Sequence, residues 1–248
     1  MIDFPIVDAH VHVWDTNRLP YPWLAGIPLL NRPYLLTDFD EARGPVPVER
    51  IVFVQAEVDH AQYAEETAWV TRLAVEDPRL QGIVSWVPLE KGDAARPDLE
   101  KLAANRLVKG VRRLIQTEES GFCLQGDFVR GVRALAEYGL SFDLGITHRQ
   151  LADAVRLVER CPGVQFILDH LGKPDIAHRM LDPWREELRA LAGFPNVWCK
   201  VSGLVTETEH GHWTKEDLKP YIDHALECFG FGRVLYGGDW PVVLLASD

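Results

Sequence analysis

The sequence predicts an α/β fold in which eight parallel strands close into a (β/α)8 TIM barrel. Three observations point there. Short apolar runs alternate with amphipathic stretches along the chain, the runs number eight, and most are continuous rather than alternating. Continuous Val-, Ile- and Phe-rich runs suit strands buried on both faces, and a βαβα order implies a parallel sheet covered by helices. An open doubly wound sheet is the main rival, but no GxGxxG follows the first run. A length of 248 residues suits one barrel, so 1–248 is read as one domain.

Strands are expected at Ile6–Ala9, Ile51–Ala56, Gly82–Val87, Val108–Leu114, Ser141–Leu144, Val164–Asp169, Val197–Val201 and Val234–Gly238. Helical patterns fill the gaps at Tyr63–Val75, Pro97–Ala104, Trp184–Leu191 and Leu218–Cys228. Phe128, Val132 and Leu135 form an apolar stripe with Gly139 as its stop. Leu151, Val155 and Val158 form another, ended by Cys161-Pro162-Gly163. A Pro-rich insertion, 14–47, follows the first strand, and its Trp14, Tyr21, Trp23 and Tyr34 favour an ordered segment near the barrel mouth. Only nine residues follow Asp239, too few for an eighth barrel helix, which is therefore expected to be missing from this sequence.

Composition narrows the function. The chain is 47% hydrophobic and 25% charged, an ordinary globular balance. A net charge of −11 with no basic stripe argues against nucleic acid as partner. Cysteines at 123, 161, 199 and 228 form no Cys-x-x-Cys pair, so reduced thiols in a cytoplasmic protein are expected. There is no signal-peptide pattern, and no apolar run reaches the roughly 18 residues of a membrane span.

The chemistry-bearing residues fall at strand ends. Asp8-Ala9-His10-Val11-His12 places two imidazoles on one face of an extended segment, suited to a divalent metal or to polarising a carbonyl. His170 ends the sixth strand before Gly172 and Pro174, and Asp239 ends the eighth in Gly237-Gly238-Asp239-Trp240-Pro241. A carboxylate there can take a proton from water or bind metal. Each element alone has a bland reading, as solvent-facing, capping or turn residues. Together they converge, because closing a barrel brings strands one, six and eight to one mouth.

The Asp-Ala-His-Val-His, Asp-His-Leu-Gly-Lys-Pro and Gly-Gly-Asp-Trp-Pro segments resemble the amidohydrolase-related family of the amidohydrolase superfamily. They look nearest its lactonase branch of sugar lactonases and 2-pyrone-4,6-dicarboxylate lactonase. The resemblance runs from residue 8 to 241 and implies a distorted (β/α)8 barrel that hydrolyses a cyclic ester. Val108–Gln116 looks like the branch's fourth-strand motif and Cys199–Leu204 like its seventh. Neighbouring strand residues face opposite ways, so one of Arg112 and Arg113 points inward, and Arg112 is favoured. Lys200 is either a fixed positive charge toward substrate or a lysine snorkelling from a strand end. His148 is a substrate contact or a surface loop residue, and Gln55 and Glu57 end strand two near the mouth. Trp14, Trp86 and Trp240 are candidates to stack on a sugar ring, against core packing for each.

Asp239 is then expected to act as base on water, with His10, His12 and His170 polarising the carbonyl directly or through one divalent ion such as zinc held with Asp239. Members of the resembled branch include enzymes that need no metal. Lys109 is not at the end of its strand, so no bridging carbamylated lysine is expected. The substrate expected is a small lactone derived from a sugar. The alternatives are a dicarboxylate lactone, which would want two or more arginines, and a metal-dependent decarboxylation. The sister branch of decarboxylases would carry a further histidine ending strand five, where this chain has Phe142-Asp143-Leu144-Gly145-Ile146.

Overall fold

The computed structural model describes residues 4–247. Eight parallel strands follow one another in chain order: β1 (Ile6–Val11), β2 (Val48–Val54), β3 (Leu80–Ser85), β4 (Val108–Val111), β5 (Ser141–Leu144), β6 (Phe166–Leu168), β7 (Val197–Val201) and β8 (Val234–Tyr236). The sheet closes just beyond β8. Val11 bridges Trp240 in parallel, Asp239 N donates to His10 O at 2.8 Å, and His12 N donates to Trp240 O at 2.8 Å. Every strand-like run of the sequence is thus a strand, and the barrel is distorted where β8 gives way to the Gly237-Gly238 segment.

The helices cover the outside: α2 (Tyr63–Glu76), α3 (Arg96–Ala103), α4 (Gly126–Ala134), α5 (Leu151–Arg160), α6 (Trp184–Ala192) and α7 (Lys215–Phe229). On α5, Leu151, Ala154, Leu157 and Val158 are buried, the spacing that turns one helical face to the sheet. Leu135 lies past α4 in a tighter turn that stops at Gly139, whose φ of 66° is open to glycine without steric cost. α7 starts earlier than its apolar stripe because Thr214 and Asp217 cap it reciprocally. Phe128, Phe142 and Phe166 run edge-to-face through the wall between helix and sheet, with centroids 6.0 and 6.1 Å apart. Each such buried ring contributes about 1.5–3 kcal/mol. Among the described residues, β8 is followed only by a single turn, Val242–Leu245, and no helix is long and apolar enough to cross a membrane.

The insertion is ordered and carries a further helix, α1 (Leu36–Arg43). Trp14 and Tyr34 pair as a short antiparallel bridge, and the Trp14 indole donates to Arg32 O at 2.8 Å. The rings of Trp14, Tyr34, Trp240 and Phe39 then form a chain of edge-to-face contacts about 5.5 Å apart. That cluster pins the insertion over the β1–β8 side of the mouth.

Candidate active site

β1 continues two residues beyond its apolar run, so Asp8, His10 and His12 share the inward face. Asp8 Oδ1 accepts from His10 N (3.0 Å) and Gly238 N (2.9 Å), tying β1 to the segment that carries Asp239. At the mouth, His10 Nε2 lies 3.2 Å from His12 Nε2 and 3.6 Å from Asp239 Oδ1. Asp239 Oδ1 is also 3.5 Å from His12 Nε2 and 3.9 Å from His170 Nε2. One ligand atom each of His10, His170 and Asp239 falls within 4.8 Å of the others, and all three residues are buried.

The ring orientations follow from the partners. His12 Nδ1 lies 2.7 Å from Val54 O; a carbonyl only accepts, so Nδ1 carries the proton and Nε2 presents a lone pair to the centre. His10 Nε2 faces Arg112 Nη1 at 3.3 Å, and a guanidinium only donates, so this nitrogen also presents a lone pair. The opposite nitrogen of His10 is 3.4 Å from Asp169 Oδ1. His170 Nδ1 meets Ser202 Oγ at 2.9 Å. Burial holds His170 neutral by lowering its pKa to about 4, against the pull of Asp239 and Asp169. It lowers that of His10 well below the usual range as well. For Asp239 burial acts upward, but the three histidines outweigh it and keep the carboxyl ionised.

The local backbone is bent to make this possible. His170 and Asp239 have φ of 53° and 55°, a left-handed conformation that side chains other than glycine seldom adopt. Gly203, after β7, has φ of 58°, and a β-carbon there would lie 2.5 Å from His170 Nδ1 and 2.7 Å from Asp239 Oδ2. A β-carbon on Gly237 would lie 2.6 Å from His10 Cβ. Glycine is therefore required at both positions for the four groups to converge.

Beneath the mouth lies a buried charge cluster. Lys200 Nζ is 2.6 Å from Asp143 Oδ2 and 3.0 Å from Asp169 Oδ1, and Arg112 Nη1 is 3.3 Å from Asp169 Oδ2. Burial disfavours the Lys200 charge, but the two aspartates outweigh it and keep the ammonium protonated. Arg112 Nη2 also donates to Gln55 O at 2.6 Å. The alternation at the end of β4 holds: Arg112 points inward, while Arg113 points out to Glu90 and Glu118.

Above the cluster a cavity of about 220 Å³ is lined by His12, His170, Asp239 and Arg112, with Trp23, Glu57, Gln116 and Lys173 toward solvent. Several expected substrate contacts lie elsewhere. Lys200 is 1% exposed, held under His10 by its two aspartates rather than reaching or snorkelling to the mouth. Trp14 is fully buried and Trp240 nearly so, because both rings are spent on packing the insertion. Trp86 stacks on His60 (4.2 Å) away from the cavity. His148 donates from Nδ1 to Lys173 O at 3.0 Å and faces a neighbouring groove beside Asp175 and Glu187. Trp23 is the tryptophan of the insertion that lines the cavity, its indole donating to Ala56 O at 2.8 Å. Ser202, Gly203, Gln116 and Lys173 were not assigned from sequence. Ser202 and Gly203 follow directly on the Lys200-Val201 strand end, where barrel sites concentrate, and that position is the signal that could have found them.

A family model described as amidohydrolase matches residues 7–248. An L-fucono-1,5-lactonase of Burkholderia multivorans is 33% identical over 98% of this chain and 84% of its own length. An L-rhamnono-gamma-lactonase of Scheffersomyces stipitis is 24% identical, over 100% of this chain and 88% of its own. Among solved structures, an amidohydrolase from Burkholderia multivorans with bound zinc superposes with a TM-score of 0.83 at 33% identity, covering 99% of this chain and 87% of that one.

Proposed function

The chain belongs to the amidohydrolase family, and on that premise we propose that it is a hydrolase that opens a sugar-derived lactone by attack of an activated water. The observation that carries this is the convergence of three histidine nitrogens and one ionised carboxylate on a single mouth. The lactonase relatives support the same chemistry.

Asp239 holds the attacking water and accepts its proton as the new carbon–oxygen bond forms. The ring carbon–oxygen bond then breaks, and Asp239 returns the proton to the leaving alkoxide, giving a hydroxy acid. Arg112, fixed by Gln55 O and Asp169, presents its positive charge to the developing oxyanion. Ser202 and Gly203 keep the His170 ring and the Asp239 carboxylate in register.

His10, His170 and Asp239 fit a divalent ion, with His12 beside them. Tetrahedral zinc at about 2.0–2.1 Å per nitrogen needs neighbouring donor atoms about 3.3 Å apart; Asp239 Oδ1 lies 3.5–3.9 Å from a nitrogen of each histidine, and one ligand atom each of His10, His170 and Asp239 falls within 4.8 Å of the others. His10, His170 and Asp239 would hold it, with His12 Nε2 3.5 Å from the carboxylate as a further donor, and a bound zinc would supply Lewis acidity toward the lactone carbonyl.

Dicarboxylate lactones fit less well, since Arg113 is turned away and paired with Glu90 and Glu118. Decarboxylation fits less well too, because Gly145 stands in the cavity wall at the end of β5. The free, buried Cys123, Cys161 and Cys199 suit a reducing, cytoplasmic setting. The test is hydrolysis of a panel of aldonolactones followed by pH indicator, with and without chelator. Release of acid from one of them supports the reading, and silence across the panel overturns it.

A further inference from the structure

Glu57 sits three residues past the end of β2 with φ of 54°. A glutamate held in the left-handed region persists only where its surroundings force it, and such strain concentrates at ligand sites. Here the forcing group is Gln55, whose side chain is fully buried. Glu57 N donates to Gln55 Oε1 at 2.7 Å, and Gln55 Nε2 donates back to Glu57 Oε1 at 2.6 Å. The two bonds lock the carboxylate on the cavity wall. Its other oxygen meets only the His60 ring, at 3.4 Å, among the described residues. Beside it, Ala56 O receives the Trp23 indole N–H, which fixes an aromatic face on the same wall. A flat apolar face next to an open carboxylate suits a ring with C–H groups on one side and hydroxyls on its edge.

The charge arrangement narrows the ligand further. Both cations lining the cavity already have carboxylate partners: Arg112 has Asp169 at 3.3 Å, and Lys173 has Glu207 at 3.7 Å. Glu57 has no arginine or lysine partner among the described residues. An anionic substrate would therefore meet an extra negative charge beside cations already neutralised by carboxylates.

We propose that Glu57 determines specificity, accepting hydroxyl hydrogens from a neutral polyhydroxylated lactone and repelling lactones that carry carboxylates. This rests on the lactonase reading of the same site and names its substrate class. Charge-assisted hydrogen bonds of this kind are shorter and stronger than neutral ones.

The experiment compares wild type with Glu57→Gln and Glu57→Gly on L-fucono-1,5-lactone, on δ-valerolactone, which lacks hydroxyls, and on 2-pyrone-4,6-dicarboxylate. Glycine accepts the left-handed backbone without strain, so at least that variant folds, as thermal melting will verify. Expected in both variants is a KM for the hydroxylated lactone raised about tenfold or more, with kcat little changed, and no change for δ-valerolactone. Unaltered discrimination between these two lactones, or a wild-type preference for the dicarboxylate, overturns the proposal. If the wild type opens no lactone, the hydrolase reading falls, and calorimetry with L-fucose decides this one separately. Weaker binding by Glu57→Gln supports it; equal affinity, or no binding by wild type, overturns it.

Discussion

Lys200 Nζ and Asp143 Oδ2 lie 2.6 Å apart in an ion pair that spans the barrel interior from β7 to β5, with both side chains excluded from solvent. Its third member, Asp169, reaches toward the His10 ring, so the pair underpins the floor of the site. Burying charges is costly, and removing one partner strands the others. Lys200→Met leaves two buried carboxylates facing each other and is expected to lower stability by about 3–5 kcal/mol. The double variant Lys200→Met, Asp143→Leu should recover part of that loss. Urea unfolding of the three proteins checks it, and an undiminished midpoint in the single variant would refute it.

Asp239→Asn should remove about 10²–10⁴-fold of turnover while leaving the fold intact. An amide cannot take the proton of water. Asparagine nevertheless tolerates the 55° φ of this position, so the backbone has no reason to move. Steady-state kinetics with a thermal melt separates the two effects. Activity near that of wild type would remove Asp239 from the role of base.

Gly203→Ala tests whether the site depends on the bare backbone after β7. The added methyl falls within 2.7 Å of both His170 Nδ1 and Asp239 Oδ2, and φ is 58°. Both groups must shift, and a misplacement of about 1 Å at a reacting centre can cost about 10²-fold. A kcat reduced to that extent, with a modest fall in melting temperature, is the expected outcome. Unchanged kcat would mean that the two side chains tolerate displacement.

These cases also separate what was legible in the sequence from what was not. The strands were legible because burial on both faces leaves continuous Val- and Ile-rich runs, and Arg112 over Arg113 followed from simple alternation. The fate of Lys200 was not, because its partners come from the ends of β5 and β6 and become its neighbours only once the barrel closes. Trp14 failed for a different reason. An irregular insertion has no periodicity, so Trp14 in the core and Trp23 on the cavity wall look alike in sequence. α1 was missed because Phe39 is its one buried residue, too little to make a stripe.

Protein purified without added metal and then titrated with zinc is expected to bind about one ion per chain. His10→Ala and Asp239→Asn should each weaken binding markedly, since the first removes an imidazole donor and the second replaces an anionic oxygen with a neutral one. Elemental analysis after dialysis reads the stoichiometry without reference to turnover. Equal zinc content in wild type and both variants would place any ion elsewhere. Full turnover in metal-free protein would assign the histidines to polarising the carbonyl directly.

The last expectation concerns Glu66 on α2, a carboxyl buried behind Ala56. Burial pushes its pKa up to about 8 from an ordinary 4.5; the Ala56 N–H opposes this, and the charge of Glu57 adds to it. The folded state therefore holds a proton across that range which the unfolded chain has released. Its contribution to stability is complete below pH 4.5 and is lost as pH rises through about 8. Within that window the slope from this one group approaches about 1.4 kcal/mol per pH unit. Glu66→Gln mimics the protonated carboxyl and cannot ionise. Urea midpoints measured from pH 5 to 9 should fall less steeply in the variant, which becomes relatively more stable toward pH 9. Parallel curves for the two proteins would mean that Glu66 is ionised in the fold, with its charge met by Arg112.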